Sequence, residues 1–316
     1  MDTRVSVSLP EGSGPWLASE LDRHGLGGDA RRRLLADREL VRVRRGVYVG
    51  AERSHSSTPE TRAAEHLAAH LRITRSRHDP AYMYSHTSAA RLWELHLLRD
   101  SALIHVSCDS KPCARRLGPG VRAHFIPVPG DQQTILNGVR VTTLERTVID
   151  CARIMPVEDS LVLADQALAR GADRAHMARI LAALSGHRGV INSRLVVAFA
   201  DPRSESVAET RARLLFHLEN IPAPVPQWKV MTPLGQRYLD FAWPEEMVAA
   251  EFDGMVKYFG DKPTDRALYE ERLRERHLME LGWRFVRLTW SDLDRPGEVR
   301  RRITAALREP DSLRYV

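Results

Sequence analysis

The chain has 316 residues, and its 47 Lys and Arg exceed its 41 Asp and Glu by a formal net charge of +6. One hydrophobic core rarely grows to this size, so two or three domains are expected. With 43% hydrophobic and 28% charged residues, the composition excludes an intrinsically disordered chain. No apolar run approaches the roughly 20 residues that span a bilayer, and the N-terminus lacks a signal-peptide core, so no membrane contact is expected.

The cysteines are few and odd in number. Cys108, Cys113 and Cys151 form no disulfide framework, which predicts a reducing, cytoplasmic location. Cys108 and Cys113 are five residues apart without a second pair, so they do not predict a zinc site.

Residues 1–55 are predicted to form a winged helix-turn-helix domain that binds DNA. The apolar pattern predicts a helix over 16–25 and a second helix over 30–37, with Asp29 as its N-cap. Residues 40–49 then alternate apolar and basic side chains around Gly46, as in a β-hairpin.

Arginines are concentrated in this region. Residues 23–45 hold eight arginines against three acids. The N-terminal residues of a recognition helix contact base edges, and basic wing residues contact phosphates. The predicted DNA contacts are Arg31, Arg32, Arg33, Arg42, Arg44 and Arg45. A solvated basic face on a helical adaptor is the alternative.

Three segments of this region resemble the N-terminal domain of AbiEi-like type IV antitoxins. They are residues 24–26, 34–40 and 43–48, the last reading Val-Arg-Arg-Gly-Val-Tyr. The resemblance implies binding to the operator of a toxin gene and autorepression.

Residues 56–198 are predicted to form an α/β middle domain. The predicted helices cover 58–75, 85–95, 142–152, 160–170 and 174–184, and the predicted strands cover 103–107, 121–126 and 139–141. Thr142 and Glu145 fit a capping box. Residues 85–95 and 141–150 resemble the second domain of the same antitoxins.

His86 is a candidate catalytic residue in this segment. No acid or nucleophile stands at a spacing typical of catalysis, so His86 is predicted to cap its helix or to bond a neighbour. The middle domain is therefore predicted to carry no chemistry.

Residues 199–316 are predicted to carry the chemistry. The predicted helices cover 206–220, 264–281 and 296–307, and the predicted strands cover 225–231, 238–243, 247–253 and 283–290. A turn centred between residues 245 and 246 places Asp240 opposite Glu251, on a face shared with Asp253. Leu239, Phe241 and Trp243 are expected on the other face.

Clustered carboxylates are unfavourable on a sheet unless something positive binds them, and Mg²⁺ or Mn²⁺ meets that need. Asp240 and Glu251 are the predicted metal ligands. A metal ion held there would activate water for phosphodiester hydrolysis. Lys257 could stabilise the developing charge, and Glu209 on the preceding helix could complete the site.

Several motifs resemble the PD-(D/E)XK nuclease superfamily, in particular the proteins similar to very-short-patch repair endonucleases. They are residues 206–211, 240–244, 251–258, 271–275, 281–283 and 287–290. The resemblance implies that Asp240 and Glu251 are metal ligands and that Glu209 is the helix-borne acid. One position departs from the superfamily, because Asp253 stands where the pattern has a lysine.

The sequence thus predicts an α+β multidomain protein. Its C-terminal domain is predicted to be restriction-endonuclease-like, with a central mixed sheet. One hypothesis is a DNA-binding, Mg²⁺-dependent endonuclease. The other is an AbiEi-like repressor or antitoxin with an inert nuclease-like domain. Double-stranded DNA is the expected partner in both, and a homodimer is a candidate assembly.

Overall fold

The computed structural model describes residues 9–10, 14–52, 58–74, 82–99, 101–108, 117–233, 235–252 and 276–308. The chain divides into two compact units. One comprises residues 1–163 with 172–195, and the other comprises 164–171 with 196–316. The predicted division into domains 1–55, 56–198 and 199–316 stays a prediction.

Helices and three sheets confirm the predicted α+β class. The strands of the first unit are β1 (Trp16–Leu17), β2 (Leu40–Arg44), β3 (Val47–Gly50), β4 (Tyr82–Tyr84), β5 (Ile104–Cys108), β6 (Val121–His124), β7 (Gln133–Leu136) and β8 (Val139–Thr142). Its helices are α1 (Ala18–Arg23), α2 (Gly28–Ala36), α3 (Pro59–Thr74), α4 (His86–Leu92), α5 (Leu144–Ala152) and α7 (Arg174–Ala183). Helices α6 (Val157–Ala169) and α8 (Val190–Phe199) contribute residues to both units.

The N-terminal segment places two short helices before a β-hairpin, as the sequence predicts. Strand β3 pairs with β2 and with the short β1. The turn between β2 and β3 contains Gly46, whose φ of 80° favours glycine. The prediction of Asp29 as N-cap is wrong. Helix α2 is capped by Gly27, so Asp29 lies in the first turn, where a negative charge still favours the helix dipole.

A five-stranded mixed sheet follows, in the order β6-β5-β4-β8-β7. Helix α5 begins after Thr143, whose hydroxyl accepts a hydrogen bond from the Arg146 amide at 3.4 Å. The predicted capping box on Thr142 is therefore wrong by one residue, and the Thr142 hydroxyl bonds Thr147 instead. Glu145 accepts a hydrogen bond from the Asp173 amide. Strands β4 and β7 and helix α8 are not among the elements that the sequence predicts.

The second unit is built on a four-stranded mixed sheet. Its elements are α9 (Val207–Leu218), β9 (Val225–Thr232), β10 (Gly235–Trp243), β11 (Val248–Phe252), β12 (Arg284–Leu288) and α10 (Pro296–Arg308). The order is β12-β11-β10-β9, and only the β11–β12 pair is parallel. Of the helix predicted over 264–281, residues 276–280 are helical, and 264–275 lie outside the described residues.

Two apolar clusters cover the two faces of this sheet. Phe216 of α9 and Ile303 of α10 pack with Phe241 and Trp243 on one face. Leu239 packs with Ala249 on the other, so the prediction that Leu239, Phe241 and Trp243 share a face is wrong. The alternation along β10 is interrupted between Leu239 and Phe241. The neighbouring stretch of β9 is also irregular, since Gln227 has a φ of 51° and not an extended backbone.

Among the described residues, no helix combines the length and apolarity needed to cross a membrane.

Candidate nucleic-acid and metal sites

The six arginines predicted to contact DNA fall into two groups. Arg32, Arg33, Arg42 and Arg45 are exposed. Arg32 pairs with Asp29 at the surface, and both side chains are more than three-quarters exposed, so the pair contributes little to stability. These four side chains are therefore open to solvent.

Arg31 is a structural residue of the helix-turn-helix segment. Its Nη1 donates hydrogen bonds to the carbonyl oxygens of Ala18 at 3.1 Å and Leu26 at 2.9 Å. It also pairs with Asp22, and its guanidinium lies 5.9 Å from the Tyr48 ring centroid. These contacts turn Arg31 inward and tie α1 to α2, so it is not placed to read a base.

Arg44 lies on the β2–β3 hairpin, which we call the wing, and it also points inward. Its Nη2 donates a hydrogen bond to the Pro119 carbonyl at 2.8 Å, and it lines a cavity of about 570 Å³ together with His66 and Tyr82. Burial lowers the pKa of the Arg44 guanidinium. The wing therefore presents Arg42 and Arg45 to solvent, while Arg44 fastens it to the rest of the unit.

The predicted metal ligands lie on the adjacent antiparallel strands β10 and β11. Phe241 aligns with Ala250 in the last registered pair of β10 and β11, and Asp240 and Glu251 are the next residues of the two strands. The Oδ2 of Asp240 accepts a hydrogen bond from the Phe252 amide at 2.9 Å. One oxygen of Asp240 thus has a structural bond to the β11 backbone beside Glu251, and the facing arrangement of the two carboxylates stays a prediction.

Glu251 has a positively charged partner within the fold. It aligns with Arg287 on the parallel strand β12, and the two side chains form an ion pair. The Glu251 side chain is only 6% exposed and that of Arg287 is 29% exposed. The sequence predicts that a metal ion supplies the positive charge beside Glu251. In the structure, Arg287 supplies positive charge at this position.

Glu209 lies in the first turn of α9, after the N-cap Ser206. Its Oε2 accepts hydrogen bonds from the Glu205 amide and from Nε2 of Gln227, both at 3.0 Å. Gln227 aligns with Asp240 between two registered pairs of β9 and β10. The sequence analysis does not include Gln227 in the site. The one feature that marks Gln227 in the sequence is its polar side chain between Pro226 and Trp228.

Asp253 and Lys257 lie outside the described residues. Within the part of the chain that the structure describes, the oxygens of Glu209, Asp240 and Glu251 do not form a group within 4.8 Å of one another. The described residues thus supply two carboxylates on adjacent strands, with Glu209 held by Gln227.

A cluster of three histidines lies elsewhere, in the first unit. His86, His105 and His124 each offer a ring nitrogen, and these atoms all lie within 4.8 Å of one another. His86 begins α4, while His105 and His124 lie on the adjacent parallel strands β5 and β6. The three residues share no motif spacing, so the sequence does not predict the cluster.

No protein-family model matches the chain. Two relatives from Mycobacterium tuberculosis are similar to it: the uncharacterized protein MT2308 of strain CDC 1551 / Oshkosh and the uncharacterized protein Rv2248 of strain ATCC 25618 / H37Rv. Each is 30% identical over 175 residues, which is 54% of this chain and 63% of the relative. The chain thus spans less than two thirds of the relatives that it matches.

Among solved structures, the crystal structure of the RV2827C protein from Mycobacterium tuberculosis shows a distant similarity. It is 14% identical, with a TM-score of 0.36, and the match covers 68% of this chain and 81% of that chain.

Proposed function

We propose that this protein binds duplex DNA and that its C-terminal unit hydrolyses phosphodiester bonds with Mg²⁺ or Mn²⁺. The observation that carries the proposal is the hydrogen bond from the Phe252 amide to Asp240, which brings this carboxylate of β10 to the β11 backbone next to Glu251. The motifs that resemble PD-(D/E)XK nucleases include the same two residues. Glu209 supports the same assignment because it accepts a hydrogen bond from Gln227. Gln227 and Asp240 lie between the same two registered pairs of β9 and β10.

The donor chemistry fits a hard divalent cation. Asp240 and Glu251 offer carboxylate oxygens, which are the ligands that Mg²⁺ prefers. The bound ion would lower the pKa of a water molecule and stabilise the charge that develops on the phosphate. Asp240 is oriented by the Phe252 amide, and Glu251 by Arg287. Glu209, Asp253 and Lys257 complete the proposed catalytic set.

DNA binding in this proposal depends on the exposed arginines of α2 and the wing. Arg32 and Arg33 lie near the start of α2, where a recognition helix meets the major groove. Arg42 and Arg45 lie on the wing, where positive charge contacts phosphates without reading sequence.

Cleavage of supercoiled plasmid DNA by the purified chain tests the hydrolytic part. We expect nicking in the presence of Mg²⁺ and none with a chelator. Asp240→Asn and Glu251→Gln should abolish nicking, while Glu245→Gln should retain it. Glu245 is the matched control because it is an exposed carboxylate in the turn of the same hairpin. Nicking that survives Asp240→Asn and Glu251→Gln would remove both residues from the mechanism.

The ion pair between Arg287 and Glu251 favours a second candidate. If Arg287 is the permanent partner of Glu251, the sheet needs no metal ion, and the protein is an AbiEi-like repressor of its own operator with an inert nuclease-like unit. An intact plasmid, together with wild-type binding of duplex DNA, would favour this candidate over the nuclease.

A further inference from the structure

We propose that His86, His105 and His124 bind a transition-metal ion of the Zn²⁺ class, at a site separate in the chain from the carboxylate pair. The three imidazoles are the one group of three or more His, Cys, Asp or Glu in the described ranges whose donor atoms lie within 4.8 Å of one another. Three histidines with an open fourth position are a ligand set that zinc uses.

The spacing of the nitrogens is close to what coordination requires. Nδ1 of His105 and Nε2 of His124 lie 2.9 Å apart. Two nitrogens bound to a tetrahedral zinc ion lie about 3.3 Å apart, since each Zn–N bond is about 2.05 Å. Metal binding would replace the contact between these two nitrogens and move them apart by a few tenths of an ångström. The rings of His86 and His124 stack with centroids 3.6 Å apart, so one of them must also turn.

His86 gives the strongest sign that a ligand is needed. Its side chain is buried, and its Nε2 has no hydrogen-bond partner, an uncommon and costly condition for a buried polar atom. Its Nδ1 contacts the Ser85 hydroxyl at 2.9 Å. A metal-binding histidine characteristically uses its second ring nitrogen in such a bond, which fixes the orientation of the ring.

The backbone at His86 is also unusual. Its φ is 51°, in the left-handed region that non-glycine residues seldom adopt. Such conformations persist where the surrounding structure imposes them, and they cluster at functional sites. Here the conformation occurs at the first residue of α4, and the imidazole that it carries stacks on His124.

The imidazoles are kept neutral, as metal ligands must be. Burial lowers the pKa of His86 well below its ordinary value, and it lowers the pKa of His105 to about 3 and that of His124 to about 4. Their lone pairs are therefore available at neutral pH. Nitrogen donors without a carboxylate favour Zn²⁺, Co²⁺ or Ni²⁺ over Mg²⁺.

Several arginines affect the three histidines electrostatically, namely Arg91, Arg122, Arg146 and Arg153. Their charges oppose a bare dication and favour a negatively charged fourth ligand, such as hydroxide. His124 is only half-buried, so a fourth ligand can approach from the β6 side of the cluster.

Titration of the untagged, chelator-treated full chain with Co²⁺ tests the site, because tetrahedral Co²⁺ absorbs visible light and reports its ligands. We expect one equivalent to give such a spectrum, Zn²⁺ to displace it, and Zn²⁺ to raise the Tm by a few degrees. His86→Asn and His124→Ala should each abolish the spectrum. Asparagine suits position 86 because it tolerates the left-handed conformation.

Two controls separate the outcomes. His187→Ala removes an exposed histidine outside the cluster and should keep the spectrum. Glu251→Gln removes a proposed Mg²⁺ ligand and should also keep it, so failure of the nuclease proposal does not affect this result. The absence of a stoichiometric spectrum in the wild type, or an equal spectrum in folded His86→Asn and His124→Ala, would overturn the proposal.

Discussion

Substitution of Arg287 tests the carboxylate site directly, because Arg287 forms an ion pair with Glu251. Arg287→Met leaves the buried Glu251 without this partner, which should lower the free energy of unfolding by about 1–3 kcal/mol. If Asp240 and Glu251 bind Mg²⁺, the ion should restore much of the lost stability. Thermal melts of Arg287→Met with and without Mg²⁺ measure this.

Adding Glu251→Gln to Arg287→Met provides the control for that melt. The double variant has no carboxylate at position 251, so Mg²⁺ should no longer raise its Tm. A Mg²⁺ response of equal size in the single and double variants would show that the ion binds elsewhere.

The histidine cluster predicts sensitivity to mild acid. The folded chain keeps His105 neutral down to a pKa of about 3, whereas the unfolded chain takes up the proton near pH 6.5. As pH falls from 7 to 5, the unfolded state therefore binds more protons and stability is lost, by up to about 1.4 kcal/mol per pH unit for each histidine that stays neutral. The more exposed His124 contributes less because solvent screens it.

Urea unfolding of the metal-free chain at pH 5, 6 and 7 measures this dependence. His86→Asn should lose less stability over the same range, since one buried neutral histidine is gone. A loss of equal size in wild type and His86→Asn would remove His86 as a cause of the acid sensitivity.

At the scale of elements, the wing of β2 and β3 is predicted to bind phosphates through two residues. The double variant Arg42→Gln, Arg45→Gln should weaken binding to all duplex sequences and reduce the salt slope of the binding constant by up to about 1.8. Fluorescence anisotropy with two unrelated duplexes over a range of salt concentrations measures both effects.

The matched control removes the same charge elsewhere in the same unit. Arg188 and Arg194 are exposed, so Arg188→Gln, Arg194→Gln tests the effect of net charge alone and should leave most of the affinity. If both double variants lose affinity equally, the wing is not the contact surface.

At the scale of the whole molecule, the second unit is built from two stretches of chain. It combines residues 196–316 with residues 164–171, which lie about 30 positions earlier. Asp165 belongs to that unit, and its buried carboxylate accepts hydrogen bonds at 2.7 Å from Thr210, Arg213 and the Asp201 amide. A fragment that begins at residue 199 would lack this acceptor. The unit is therefore predicted to depend on residues 164–171 for its stability.

Asp165→Asn tests this dependence in the full chain. The substitution places an amide N–H₂ among donors and leaves Arg213 without its charge partner, so it should cost about 3 kcal/mol. Calorimetry should show a lower melting transition than for Asp294→Asn, which changes an exposed carboxylate of the same unit. Equal transitions for the two variants would contradict the prediction.

Local patterns in the sequence were sufficient for several elements. The β2–β3 hairpin around Gly46 and the β10–β11 hairpin follow from apolar patterning and turn position, which are properties of adjacent residues. Sequence alone therefore placed Asp240 and Glu251 on adjacent antiparallel strands, although the alternation that it predicted along β10 fails at Asp240. The boundaries of helices and the cap positions were less accurate, because neighbouring residues such as Thr142 and Thr143 both fit the cap.

Only the tertiary structure decided which charged groups have partners and which distant residues meet. Arg287 reaches Glu251 from a strand 36 residues away. The Pro119 carbonyl accepts a hydrogen bond from Arg44 of the wing. His86, His105 and His124 come together because a helix start lies against two parallel strands. Sequence periodicity indicates the face of an element on which a residue lies. The contacts of that face are set by packing between elements, which depends on pairing between residues far apart in the chain.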